Sequence, residues 1–180
     1  MKLTDIIQTG DWLLVYPKPG QWLGSLIRRV TFGEVVHAAI VVDKETLFET
    51  DGNMFTAKFT LPAKYEARHL LIVRCRSLQG KSEEIRKEAE KYKGTPYSYW
   101  DIATNLLFFW LAAPLRKKLI ALLGTKAFML CSELVARISY EVGQREELRT
   151  YEGVCPEDLH QIAHLFPEEY QIVADFNSAS

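Results

Sequence analysis

Residues 35–42 read Val-Val-His-Ala-Ala-Ile-Val-Val, a run so continuously apolar that it predicts a strand covered on both faces. Such a strand belongs near the centre of a sheet. The imidazole of His37 inside it must find a hydrogen-bond partner or lose free energy. Residues 11–16, also apolar and aromatic, predict a second strand, which stops at the turn signal Pro17-Lys18-Pro19-Gly20. Residues 46–50, 54–60 and 69–75 supply three more. Between the first two strands, residues 21–30 predict a short helix with Trp22, Leu23, Leu26, Ile27 and Val30 on one side.

The second half is mostly helical. Residues 82–92 predict a charged helix broken by Gly94-Thr95-Pro96, and helical pattern resumes over 99–123 with a kink or split at Pro114. Two further helices follow at 131–142, ending at Gly143, and at 156–164, with proline at its start. Residues 169–174 predict a last strand. Strands grouped first and helices later indicate an α+β fold, an antiparallel sheet packed against helices. No repeat, low-complexity tract or long linker divides the chain, so residues 1–180 read as one domain.

Composition narrows the partners. With 180 residues, 48% hydrophobic and 25% charged, the chain can bury a core, and a formal net charge of −1 leaves no basic footprint for nucleic acid. The first residues lack a long apolar run and a small-residue cleavage site, so no secretory signal is expected and the cytoplasm is the expected compartment. Three cysteines, Cys75, Cys131 and Cys155, cannot all pair, and none forms a CxxC motif; free thiols in a reducing compartment are expected.

Cys131 stands out among them. An apolar approach, Met129-Leu130, ends at this residue, and an amphipathic helical pattern begins. A thiol at a helix N-terminus faces unpaired N–H groups and the positive end of the helix dipole, both of which favour the nucleophilic thiolate. Such a nucleophile needs a base, and His37 is the candidate among His37, His69, His160 and His164. The base needs an orienting partner, and Glu49 or Asp51 in the next strand can supply it. Strand parity decides whether Glu49 can reach. A two-residue loop pairs His37 with Gly52 and turns Glu49 to the opposite face. A three-residue loop pairs Val42 with Thr46, sets His37 opposite Asp51, and puts Glu49 opposite Ala39 on the face of His37. The triad therefore requires the longer loop or a bulge.

These residues resemble a known family. Gly10-Asp11 leading a strand, Ser25-Leu26-Ile27-Arg28, and the run from Val36 to Val42 look like the N-terminal half of the permuted NlpC/P60 (YiiX/YebB-like) cysteine hydrolases. Gly94-Thr95-Pro96-Tyr97-Ser98-Tyr99, then Leu130-Cys131-Ser132-Glu133-Leu134-Val135, then Cys155-Pro156-Glu157-Asp158-Leu159 continue the pattern in order. The resemblance implies a circularly permuted papain-like fold, with Cys131 as nucleophile, His37 as base and Glu49 as third member. It also implies a place for Tyr97 near the cleft, and no cofactor. The implied activity is a thiol hydrolase working through an acyl-enzyme, on an amide in a peptidoglycan stem peptide or related peptide. A wall substrate would then be reached by phage-borne delivery or a non-classical export route.

Two other readings stand beside this one. Lecithin:retinol acyltransferase-like enzymes also carry histidine ahead of cysteine and act on lipid acyl groups, although their cysteine motif differs from Leu130-Cys131-Ser132-Glu133. A non-catalytic binding or assembly module could keep the same fold. The apolar run from Leu106 to Leu115, followed by Arg116-Lys117-Lys118, is too short to span a bilayer. It reads as a buried helix, or as an apolar lip making membrane or lipid contact. His160 and His164 have zinc-helix spacing but Gln161 where the metalloprotease motif has glutamate, and Cys155 precedes acids that oppose a thiolate.

Overall fold

The computed structural model describes residues 2–18, 20, 24–25, 28–29, 33–50, 56–60, 65, 68–95, 131–151 and 153–177. They form a mixed α+β structure around one antiparallel sheet. The strands are β1 (Asp11–Val15), β2 (His37–Val41), β3 (Thr46–Thr50), β4 (Thr56–Thr60), β5 (His69–Cys75) and β6 (Tyr170–Asn177). Their order across the sheet is β4-β3-β2-β1-β5-β6. The helices are α1 (Leu3–Ile6), α2 (Ser82–Glu90), α3 (Cys131–Gly143) and α4 (Pro156–Leu165).

The predicted strands at 46–50 and 69–75 coincide with β3 and β5. The apolar run at 35–42 is trimmed to His37–Val41, so His37 opens its strand rather than lying within it. The last strand runs on to Asn177, because β6 pairs with β5 along its whole length, from Cys75↔Tyr170 to His69↔Asn177. Of the predicted helix at 21–30, Gly24, Ser25, Arg28 and Arg29 are helical and the other positions lie outside the described residues. The predicted helix at 99–123 lies wholly outside them. No helix among the described residues is long and apolar enough to cross a membrane.

Burial on both faces explains the apolar strands. Trp12, Leu14, Ala38, Ile40 and Phe48 face one core, shared with Ile85 of α2, Leu134, Val135 and Ile138 of α3, and Leu159 of α4. Their alternates Leu13, Val15, Ala39, Val41 and Leu47 face a second core with Leu3, Ile7 and Tyr65. Each Leu, Ile, Val or Phe among them contributes roughly 1.5–3 kcal/mol when fully removed from water. One polar contact also keys α3 onto the sheet: Trp12 Nε1 donates to Ser139 Oγ at 3.0 Å. That seating fixes where the first residue of α3, Cys131, meets the sheet.

Candidate active site

The β2–β3 hairpin takes the longer loop. Ile40 pairs with Phe48 and Val41 with Leu47, and the Val42 N–H donates to Thr46 O at 3.1 Å. The loop is therefore Asp43-Lys44-Glu45, and Asp43 Oδ1 closes it by accepting the N–H groups of Glu45 and Thr46 at 3.0 and 2.8 Å. Extending that register sets Glu49 opposite Ala39, on the face of His37, as the triad requires.

The side chains use this placement. His37 Nε2 lies 2.5 Å from Glu49 Oε2, and the Tyr65 hydroxyl donates to the same oxygen at 2.6 Å. Glu49 is fully buried, whereas the His37 side chain remains 19% exposed, which keeps an approach open. With Nε2 held by Glu49, Nδ1 is the ring nitrogen left for Cys131, which interacts with His37 both by charge and by hydrogen bonding. The meeting point is local in both elements, since His37 is the first residue of β2 and Cys131 the first of α3.

Electrostatics decides the protonation of the pair. Burial alone would lower the His37 pKa, but the Cys131 sulfur and then Glu49 outweigh it and raise the imidazole to about 10. Burial alone would likewise raise the thiol, yet His37 and the backbone N–H groups of Ala38 and Ser132 bring Cys131 below its ordinary 9.0. Each partner thereby favours the charged form of the other, thiolate and imidazolium. Burial, then Glu49, pushes the Tyr65 hydroxyl well above its ordinary value, so it stays a donor to the carboxylate.

The residues after Cys131 hold it in place. Ser132 Oγ donates to Val154 O at 2.6 Å, and the Gly153 N–H donates to Glu133 Oε1 at 2.6 Å. Both lock the first turn of α3 to the segment that leads into α4. The Cys-Ser-Glu sequence thus follows the Cys131 thiol with two anchors.

No protein-family model matches this chain, and no curated protein matches it either.

The structure brings Cys131, His37 and Glu49 together. Tyr97, Asp51 and the run from Leu106 to Leu115 lie outside the described residues. The other cysteines sit in different surroundings. Burial, with Glu169 nearby, pushes the Cys75 thiol up to about 12. The Cys155 N–H donates to Asp158 Oδ2 at 2.9 Å, so Asp158 caps the first turn of α4, while Glu157 accepts the Glu34 N–H at 2.8 Å. His160 and His164 approach each other at 3.3 Å, but no group of three His, Cys, Asp or Glu able to hold a metal occurs among the described residues. His69 pairs with Asp175 and stacks on Tyr16, with no thiol in the arrangement.

Sequence reasoning missed Tyr65. It is a lone tyrosine four residues ahead of β5, and no spacing links it to Glu49. Its buried hydroxyl was the one available signal, since a buried tyrosine needs a partner.

Proposed function

We propose that this protein is a cysteine hydrolase of circularly permuted papain-like architecture, acting on an amide in a peptidoglycan stem peptide or a related peptide. One observation carries the reading: Glu49 Oε2 lies 2.5 Å from His37 Nε2, and His37 in turn interacts by charge and hydrogen bond with Cys131 and lowers its pKa. A purely structural core histidine has no use for that chain of partners.

The thiolate attacks the amide carbonyl, and the carbonyl electrons move onto oxygen. A backbone N–H at the start of α3 contributes to the site of that oxyanion. Collapse of the intermediate breaks the C–N bond, and the amine leaves with the proton from His37. A thioester to Cys131 remains. Neutral His37 then takes a proton from water as the water attacks the thioester, a carboxylic acid departs, and the thiolate–imidazolium pair is restored. Glu49 keeps the imidazole oriented throughout and stabilises its charge. The resemblance of the motifs from Gly10 to Leu159 to permuted NlpC/P60 enzymes supports the peptide substrate. The acyltransferase reading leans on the run from Leu106 to Leu115, and no described residue favours it.

Incubation with stem peptides in ¹⁸O-water, followed by mass spectrometry, tests the proposal. The expected products are one new amine and one new carboxyl group carrying ¹⁸O, both lost in Cys131→Ala. Absence of products across such peptides, with Cys131 still rapidly alkylated, would favour the binding-module reading instead.

A further inference from the structure

The motif Ser25-Leu26-Ile27-Arg28 has no part in the chemistry above, yet two of its residues help to line a groove. Lys18, Gly20, Ser25, Arg28 and Arg29 surround a cavity of about 510 Å³. All of them are solvent-exposed. Among the described residues no acid lines this groove, and none pairs with Lys18, Arg28 or Arg29. In a chain with 22 Lys and Arg against 23 Asp and Glu, three cations around one groove with no acid paired to them among the described residues are a local excess.

Topology ties the groove to the site. All its lining residues belong to the single connection that leaves β1 at Val15 and enters β2 at His37, and these two residues are partners in the sheet. The Val36 N–H donates to Val15 O at 2.8 Å, closing the base of the connection. Lys18 follows Val15 by three residues, so their Cα atoms lie within about 11 Å of each other. The Arg28 carbonyl accepts the Gly33 N–H at 3.2 Å, and Gly33 is four residues from His37. The groove therefore hangs from the strand ends that carry the base.

We propose that this groove receives an anionic group of the substrate, a carboxylate or a phosphate, while the scissile bond lies at Cys131. The inference rests on the hydrolase reading and narrows its substrate to an anionic one. A guanidinium can bind two oxygens of either anion at once, the Ser25 hydroxyl adds a donor, and Lys18 adds a mobile charge. Binding there also favours approach of negatively charged molecules over neutral ones.

Two measurements test this without knowledge of the natural substrate. Titration of the wild type with glutarate and with inorganic phosphate at low ionic strength, followed by NMR, should shift the amides of Ser25 and Arg28. Binding should weaken at least tenfold in the double variant Arg28→Gln, Arg29→Gln. Preference for glutarate identifies a carboxylate group, and preference for phosphate a phosphorylated one. Separately, the Cys131 alkylation rate with iodoacetate, divided by that with iodoacetamide, should fall about twofold for each cation removed, the size expected of partly screened charges. Lys18→Gln should behave likewise. The neutral reagent reports whether the pair and the fold survive. Equal anion binding by wild type and double variant, or an unchanged reagent ratio, overturns the groove proposal. Slow alkylation of wild-type Cys131 by both reagents, with anion binding intact, overturns the hydrolase reading and leaves an anion-binding groove.

Discussion

Glu49 does not pair with His37 across the β2–β3 ladder; it reaches His37 diagonally, with 2.5 Å between Oε2 and Nε2, from a register that sets it opposite Ala39. Diagonal neighbours on one sheet face lie within reach only of long side chains. Aspartate is one carbon shorter, so Glu49→Asp should break the contact even though it keeps the charge. Hydrolysis by this variant should fall nearly as far as in Glu49→Ala, and Glu49→Gln should retain more. Steady-state rates of the three variants check the order.

His37→Ala should raise the Cys131 pKa, because it removes the cation that stabilises the thiolate. The hydrolytic rate should fall by about 10²- to 10⁴-fold, the usual worth of a positioned general base. Thiolate absorbance near 240 nm, followed against pH, reads the first effect, and product formation reads the second. A Cys131 titration unmoved by the substitution would separate the two residues functionally.

Iodoacetamide near neutral pH should label Cys131 first. Exposure alone would favour Cys155, which is 7% accessible against 3% for Cys131, so the order reports thiolate character rather than access. Cys75 should be last, being fully buried with its thiol raised to about 12. Peptide mapping after limited alkylation gives the order directly.

Stability against pH should show a plateau from this pair. Unfolded, the imidazole titrates near 6.5 and the thiol near 9.0; folded, the imidazole moves to about 10 and the thiol moves down. Wherever folded Cys131 is a thiolate, the folded pair holds one proton, as the unfolded pair does between 6.5 and 9.0, and its contribution there is constant. Above 9.0 the unfolded pair holds none while folded His37 keeps its own, and stability falls as pH climbs through about 10. On the acid side, the lowered thiol contributes stability that is lost as pH falls through its folded value. Denaturant midpoints measured from pH 5 to pH 10.5 should trace this shape, and Cys131→Ser should remove the acid limb.

Tyr65→Phe keeps the ring in the second core and removes one donor from Glu49. A hydrogen bond to a buried carboxylate stabilises by roughly 1.5–3 kcal/mol, so the variant should lose stability of that order. Urea unfolding measures it. The double variant with Glu49→Gln should lose less than the sum of the singles, since both changes act on one contact.

Much of the fold was legible because the strands carry their own signal. Both faces of β1 and β2 are buried, and the near-continuous apolar runs say so. The site was legible in part for a related reason: parity reduced the position of Glu49 to the length of one loop. Which loop forms depends on Asp43 accepting two N–H groups, a local contact that a residue count cannot decide. Tyr65 was illegible because its contact with Glu49 spans 16 residues and no periodicity connects them. The basic groove escaped notice because Lys18, Arg28 and Arg29 converge only once Val15 and His37 pair.

Cys131 follows His37 by 94 positions, and β1 and β3, the strands that flank the histidine's own, are complete by Thr50. During synthesis the base and its acid partner can therefore take their places before the sulfur has left the ribosome. Until α3 docks, that sulfur has the ordinary acidity of a free thiol and little appetite for oxidants or stray electrophiles. On the proposed chemistry the hazardous group is armed only when α3 docks on the sheet, so a nascent or misfolded chain carries the residues of the chemistry without its reactivity.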